Sequence, residues 1–367
     1  MKITERNRRY DIDWLRVIAI GLLLIYHIGI GFQPWGVLIM FIQNDDPLNS
    51  LWAPMSMLNV WRIPLLFFVS GMGASFAIGK KNFKQLVLER IKRILLPLIF
   101  GALFIVPVHI LIWQNYYGLN LSYTPGRGHL WFLANIFIYV AILSPLLFYL
   151  KRNQKGKVIK ILKWFYGNPV GLFVVTLFFV LETVLLKPQF YTLYAFTLHG
   201  FVLGFIAFLF GFTFVISGKT FWDTVLKWRW FYFTLSSSSF IVRLTIYNLE
   251  APNYIAAIES VLWVFTAFGF AYKYLNRPSN ALSYLSQAAY PVYIVHMIFL
   301  YLASMLVFPL DIPTISKLIF SILITYIGSF GLYELVIRRI TLIRPLFGLK
   351  PLNEQIKQDY LLMKSEV

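Results

Sequence analysis

The sequence predicts an all-α integral membrane protein, a bundle of about ten transmembrane helices with both termini in the cytoplasm. Composition is the first observation behind this prediction. Of 367 residues, 59% are hydrophobic and only 13% are charged, and the mean hydropathy is +0.70. Globular proteins have far less apolar and far more charged sequence.

The second observation is the length of the apolar runs. Runs of roughly 20 residues are long enough to cross the hydrocarbon core of a bilayer as helices. The sequence contains ten such runs. They are residues 12–32, 53–78, 91–113, 130–150, 171–186, 201–216, 230–247, 255–274, 282–308 and 313–337.

The third observation is the distribution of charge. The net charge is +18, but the lysines and arginines concentrate in alternate connections, such as KKNFKQLVLERIKR and KRNQKGKVIKILK. The opposite connections hold few cations and most of the acidic loop residues, namely Asp45, Asp46, Glu250 and Asp311. Because cytoplasmic loops carry the positive excess, both termini are predicted to be cytoplasmic. Anionic membrane lipids are the expected partner of this charge, and nucleic acid is not.

The domain organisation follows from the spans. Residues 1–345 form one transmembrane domain, and residues 346–367 form a cytoplasmic C-terminal tail. We expect the first run to be a retained span rather than a signal peptide, because it is too long for one. The predicted location is the cytoplasmic membrane. The chain has no cysteine, which excludes disulfides and thiol catalysis. The histidines are spread over several helices without ligand spacing, so we expect no metal site.

The first span, DIDWLRVIAIGLLLIYHIG, carries an arginine and a histidine eleven positions apart, Arg16 and His27. Eleven α-helical steps return a side chain to within about 20° of its starting direction, about 16 Å further along the axis. Both residues therefore lie on one face. Ionisable residues inside a membrane are costly and usually functional. We therefore predict a path into the membrane that begins near Arg16 and ends at His27, where a reaction takes place.

Position within each span gives the depth of the other ionisable residues. A group of ionisable residues, both acidic and basic, is predicted at the level of the outer leaflet. This group comprises His27, Arg62, His129, Glu182, Arg243, Glu259 and His296. His109 and His199 are interpreted as boundary residues.

Some of these residues also have structural explanations. Arg62 can pair with Glu182 or Glu259 to join helices. His296 can be an ordinary buried, hydrogen-bonded histidine, and His129 can belong to the interfacial aromatic belt.

A second group, Arg16, Arg90 and Arg93, is predicted near the cytoplasmic side. Arg90 and Arg93 are three residues apart at the start of a span, hence on one helix face. Paired guanidinium groups suit phosphate oxygens. The alternative is that they only anchor the helix at the interface.

Several motifs together resemble the acyltransferase type 3 family of membrane O-acyltransferases. Arg16 and His27 match its Arg–ten residues–His signature, preceded by Asp13, and ERIKRILLP matches its Arg-X-X-Arg signature. The segments RIPLLFFVSGMGASFA, HLWFLANIFIY and YPVYIVH resemble further helices of the family. The resemblance extends from Tyr10 to about Arg339. The most similar branch contains glucan succinyltransferase-like proteins.

The resemblance implies transfer of an acyl group, such as acetyl or succinyl, from cytoplasmic acyl-CoA to a hydroxyl of an extracytoplasmic glycan. By motif, Arg16 belongs to the conducting face, Arg90 and Arg93 to donor binding, and His27 to catalysis. A histidine can act as general base or as nucleophile, and the sequence leaves both open. The oligomeric state also stays open, with a homodimer among the options.

Physical reasoning adds supporting groups. An acidic neighbour, Glu182 or Glu259, is expected to orient His27. Arg62 is the first candidate for stabilising an oxyanion and His296 the second. Two other function classes remain. A transporter or flippase of a glycan or lipid-linked sugar would have helices broken near the midplane, for which Pro64 and Gly71–Gly73 are the only hint. A membrane scaffold would not need so many ionisable residues.

Overall fold

The computed structural model describes residues 9–79 and 81–352, and within these ranges all regular structure is helical. The all-α membrane fold predicted from the sequence is therefore confirmed. The predicted C-terminal tail, 346–367, is described only as far as residue 352, and the rest of it lies outside the described residues.

Fourteen α-helices are defined within the described ranges. They are α1 (Tyr10–Ile30), α2 (Trp52–Ile78), α3 (Phe83–Arg90), α4 (Leu96–Phe100), α5 (Val106–Tyr116), α6 (Trp131–Arg152), α7 (Lys157–Tyr166), α8 (Pro169–Leu186), α9 (Leu198–Ile216), α10 (Lys219–Lys227), α11 (Arg229–Thr245), α12 (Asn253–Tyr274), α13 (Asn280–Val307) and α14 (Thr314–Leu332).

Nine helical stretches in the described part of the chain are long and apolar enough to cross a membrane. The tenth predicted span, 230–247, corresponds to α11, which has 17 residues and falls short of that length. Its four consecutive serines, 236–239, reduce its apolar character, and it packs along α12. The short helices α7 and α10 connect spans, and they carry three and two lysines, respectively.

One helical stretch, Phe83–Tyr116, is assembled from α3, α4 and α5 joined by two π-helical turns, Ile91–Leu95 and Gly101–Ile105. Prolines lie close behind both turns, at Pro97 and Pro107. A proline removes a backbone donor and clashes with the preceding turn, so local widening of the helix accommodates it. Arg93 lies inside the first π turn.

The helix α2 runs without a break through Pro64, so the predicted hint of a broken helix is wrong. Proline lacks the N–H that would bond to the carbonyl four residues earlier, which is that of Val60. The hydroxyl of Tyr194 donates to this carbonyl oxygen at 2.9 Å. Inside a membrane a freed carbonyl must find such a partner. The side chain of Tyr194 thus stabilises the continuous helix.

The centre of the bundle is the contact between α2 and α9, where the two backbones touch. A Cβ on Gly71 would lie 1.9 Å from the carbonyl oxygen of Phe208, and one on Gly211 would lie 2.0 Å from that of Phe68. Small residues allow such close approach of membrane helices. This contact fixes α2, and with it Arg62, relative to the rest of the bundle.

We expect the substitution Gly71→Ala to destabilise the protein by about 1–3 kcal/mol or more, because an added methyl would force the α2 and α9 backbones apart. Thermal unfolding in detergent, followed by tryptophan fluorescence, measures the effect. Gly331→Ala is the matched control, since a Cβ there meets no atom within 4 Å. Equal melting temperatures for the two variants would show that the helices can separate freely.

Candidate functional site

A pair of hydrogen-bonded histidines lies where α1 packs against α13. The Nδ1 atom of His27 is 2.9 Å from the Nε2 atom of His296, and the ring planes differ by only 11°. His296 is fully buried, whereas His27 is only partly buried. The pair therefore has an inner member that is enclosed by protein and an outer member with part of its surface accessible.

The protons of this pair follow from its neighbours. The Nδ1 atom of His296 is 2.6 Å from the carbonyl oxygen of Tyr293, and a carbonyl can only accept. With both rings neutral, His296 donates from Nδ1 to that carbonyl and accepts at Nε2 from the Nδ1–H of His27. The Nε2 atom of His27 is then left without a proton and can take one. His296 has no free N–H for an oxyanion.

Two more histidines, His129 and His109, lie close to this pair. The rings of His129 and His296 meet edge-on with centroids 5.1 Å apart, and His109 lies 5.6 Å from His129. The Nε2 atom of His129 donates to the carbonyl oxygen of Ile294 at 3.1 Å. His129 therefore lies in the histidine cluster and not only in an aromatic belt. His109, interpreted as a boundary residue, is buried in the same cluster.

This cluster does not resemble a metal centre. His296 and His129 each direct one ring nitrogen at a backbone carbonyl. Across residues 9–79 and 81–352, no group of three His, Asp or Glu side chains is placed to share a metal ion.

Arg62 lies beside the histidine pair and is only 3% exposed. Its guanidinium stacks 3.8 Å from the ring centroid of Tyr26, the residue preceding His27, and its Nη2 atom donates to Asn59 Oδ1 at 3.2 Å. Its Nε and Nη1 atoms are buried and have no hydrogen-bond partner among the described residues. A buried guanidinium with two unpartnered nitrogen donors is suited to bind developing negative charge.

The structural alternative for Arg62, an ion pair with Glu182 or Glu259, is not seen in the structure. Glu259 instead receives two hydrogen bonds from Arg243, at 2.6 and 3.0 Å, and Arg243 also donates to Ser56 Oγ at 2.5 Å. This network joins α2, α11 and α12, and its charges are fully paired. Its arrangement is that of a structural tie.

Glu182 is paired with His199, whose Nδ1 atom lies 2.7 Å from Glu182 Oε1. Neither acidic residue therefore orients His27, so the prediction that Glu182 or Glu259 would do so is wrong. His296 orients His27 instead. His199 lies in the first turn of α9, which begins at Leu198 instead of the predicted residue 201. The Thr197 hydroxyl caps the helix by accepting from Gly200 N–H at 3.0 Å, so α9 starts earlier and buries His199.

The basic group is at the other end of α1. Arg16 lies within electrostatic range of Arg90 and Arg93. Arg16 forms an ion pair with Asp13 at 3.6 Å, and Arg93 forms one with Glu89 at 3.4 Å. The Nε atom of Arg90 is buried and forms no hydrogen bond within the described ranges. Three guanidinium groups thus converge with fewer carboxylates, leaving positive charge that can bind phosphate oxygens.

The two groups of residues are held apart by one rigid element. α1 is unbroken from Tyr10 to Ile30, so Arg16 and His27 are separated by about 16 Å along its axis. The structure brings together His27, Arg62, His129 and His296 at one end, and Arg16, Arg90 and Arg93 at the other. Arg243 and Glu259 form a separate pair.

Residues 9–334 match the acyltransferase domain that defines the acyltransferase type 3 family. No curated protein and no solved structure matches the chain. The more specific placement in a glucan succinyltransferase-like branch stays a prediction. Because the match covers nearly the whole membrane region, the chain belongs to the acyltransferase type 3 family of membrane acyltransferases.

Proposed function

We propose that the protein transfers an acyl group from acyl-CoA, bound at the Arg16 end, to a hydroxyl of a glycan that enters from the His27 end. The observation that carries this proposal is the His27–His296 hydrogen bond. It leaves the Nε2 atom of a partly exposed imidazole free to take a proton, in a protein that belongs to an acyltransferase family.

The chemistry balances without an added proton or electron. The acceptor oxygen attacks the thioester carbonyl carbon while His27 Nε2 takes the hydroxyl proton. The tetrahedral intermediate then collapses, the carbon–sulfur bond breaks, and His27 returns the proton to the departing thiolate. General base catalysis of this kind contributes about 10²–10⁴-fold. In the nucleophilic alternative the same Nε2 atom carries the acyl group between the two substrates.

Arg62 is proposed to stabilise the oxyanion of this intermediate. Its two unpartnered nitrogens are buried, and buried donors aimed at developing charge act more strongly than they would in water. The stacking of its guanidinium on Tyr26 couples its position to the helix that carries His27. His296 is proposed to position His27, since its own nitrogens are both in use.

The coenzyme is proposed to bind through its phosphates at Arg90 and Arg93, with Arg16 at the entrance to the bundle. The arm that carries the thioester would then extend along the α1 face toward His27. The positive-inside distribution of charge supports donor binding on the cytoplasmic side and entry of the acceptor from outside the cytoplasmic membrane. Neither whole substrate needs to cross the bilayer.

Replacing His27 by alanine is expected to reduce acyl transfer by about 10²–10⁴-fold or more, because the proton acceptor is lost. Purified protein is assayed for acyl transfer, and its elution profile and melting temperature are compared with those of the native chain. Ile25→Ala, at an exposed neighbouring position of α1, is the control and should remain active. Loss of folded protein in the His27 variant, or retained activity, would contradict a catalytic role.

The double substitution Arg90→Gln and Arg93→Gln is expected to raise the donor KM at least about 10-fold, because charge-assisted hydrogen bonds to phosphate are lost. The value of kcat at saturating donor should change little. Steady-state kinetics with varied acyl-CoA measures both constants. The control removes two exposed charges elsewhere in the basic connections, Lys155→Gln and Lys157→Gln. An unchanged KM would reduce Arg90 and Arg93 to interfacial anchors.

A further inference from the structure

The chain turns back onto the bundle after its last membrane-spanning stretch, Thr314–Ile337. Residues 338–350 form a compact segment around a short 3₁₀ turn, Arg344–Phe347. This segment is the C-terminal hook. None of its residues from 343 to 350 is exposed. The described start of the predicted tail is therefore packed against the protein.

A single side chain closes the C-terminal hook. Arg344 is only 2% exposed. Its Nε atom donates to the carbonyl oxygen of Lys350 at 2.7 Å, and its Nη1 atom donates to that of Arg338 at 2.6 Å. Hydrogen bonds from a charged donor are stronger than neutral ones. Arg344 thus ties the first and the last residue of the C-terminal hook together and sets its shape.

The C-terminal hook contacts the bundle at two places. The ring of Phe347 meets that of Phe100, on α4, with centroids 5.4 Å apart. Gly348 has a φ of 72°, which favours glycine. A Cβ on Gly348 would lie 2.3 Å from the ring of Tyr290, on α13, and 3.0 Å from the carbonyl oxygen of Arg93. The backbone of the C-terminal hook therefore lies directly against the backbone of Arg93.

The backbone of Arg93 is a place where the helix itself gives less support. In an α-helix the Arg93 carbonyl would accept from the amide four residues later, but that residue is Pro97, which has no N–H. The chain widens here into the π turn Ile91–Leu95. Because the regular ladder of hydrogen bonds is interrupted, packing from outside the helix has a larger part in holding Arg93.

We propose that Arg344 is a positioning residue for donor binding. By closing the C-terminal hook it keeps Gly348 against the Arg93 carbonyl, and this contact fixes the π turn from which the Arg93 guanidinium extends toward the donor phosphates. Arg344 acts through Arg93 and is not assigned a contact with the donor. This inference rests on the proposed binding of acyl-CoA at Arg90 and Arg93.

The test measures the dissociation constant of coenzyme A by calorimetry, with the full chain in nanodiscs. Arg344→Gln is expected to raise this constant about 10-fold, the effect of losing one charge-assisted hydrogen bond to phosphate. When Arg93→Gln is already present, Arg344→Gln should change the constant less than about 2-fold, because the group that it positions is gone. An equal rise in both backgrounds would overturn the proposal, and so would no rise in the native background.

The control is Arg339→Gln, which removes an exposed arginine from the same segment. The Arg339 side chain donates to the carbonyl oxygen of Glu334 and does not close the C-terminal hook. This variant should bind coenzyme A like the native chain. A rise as large as that of Arg344→Gln would attribute the effect to net charge and contradict the positioning role.

A second variant, Gly348→Ala, tests the same contact and leaves Arg344 in place. The added methyl would press against Tyr290 and the Arg93 carbonyl, so the C-terminal hook has to move away from the π turn. The dissociation constant should again rise about 10-fold, and only while Arg93 is present. This variant replaces Arg344→Gln if the latter does not fold. Native affinity in folded Gly348→Ala protein would overturn the proposal.

The failure of the proposed function can be distinguished from failure of the positioning role. If the native chain does not bind coenzyme A, the proposed donor site is contradicted. Hydrogen exchange, followed by mass spectrometry, then tests the positioning role alone. Arg344→Gln should speed exchange of the amides in residues 91–98 about 10-fold, and Arg339→Gln should not. Unchanged exchange in the Arg344 variant would overturn the positioning role.

Discussion

The hydrogen bond between His27 and His296 is the interaction on which the candidate site depends. It connects α1 to α13 and assigns both protons of the pair through the carbonyl of Tyr293. In many hydrolytic and transfer enzymes a carboxylate orients the reacting histidine. In the proposed mechanism a second neutral imidazole, His296, takes the place of the carboxylate, which avoids an unpaired negative charge inside the membrane. Both carboxylates at this level, Glu182 and Glu259, have other partners.

The rest of the bundle keeps two chemically different ends at a fixed separation. The unbroken α1 carries Arg16 and His27 on one face, and the glycine contacts of α2 with α9 hold Arg62 near the histidines. The π turn at Ile91–Leu95 presents Arg93 toward the Arg16 end. Rigid helices therefore set the distance between the proposed phosphate site and the proposed reacting site. No loop has to move to align the proposed phosphate site with the proposed reacting site.

Much of this arrangement could be predicted from the sequence. Composition gave the membrane fold, and helical periodicity gave the shared face of Arg16 and His27. Partners on distant helices could not be predicted in this way, because depth places many residues at one level without saying which helices touch. Arg62 and Arg243 are predicted at the same depth in the membrane, yet only Arg243 forms an ion pair with Glu259. The burial of His199 could not be predicted either, because its partner Glu182 lies on another helix.

The central claim is that two substrates reach one imidazole from opposite ends of the bundle. It is tested most directly in sealed proteoliposomes, with a glycan acceptor trapped inside and labelled acyl-CoA added only outside. Chains whose Arg16 end faces outward should then acylate the trapped glycan, and the His27→Ala variant should not. Acylation that occurs only when donor and acceptor share one compartment would contradict the account.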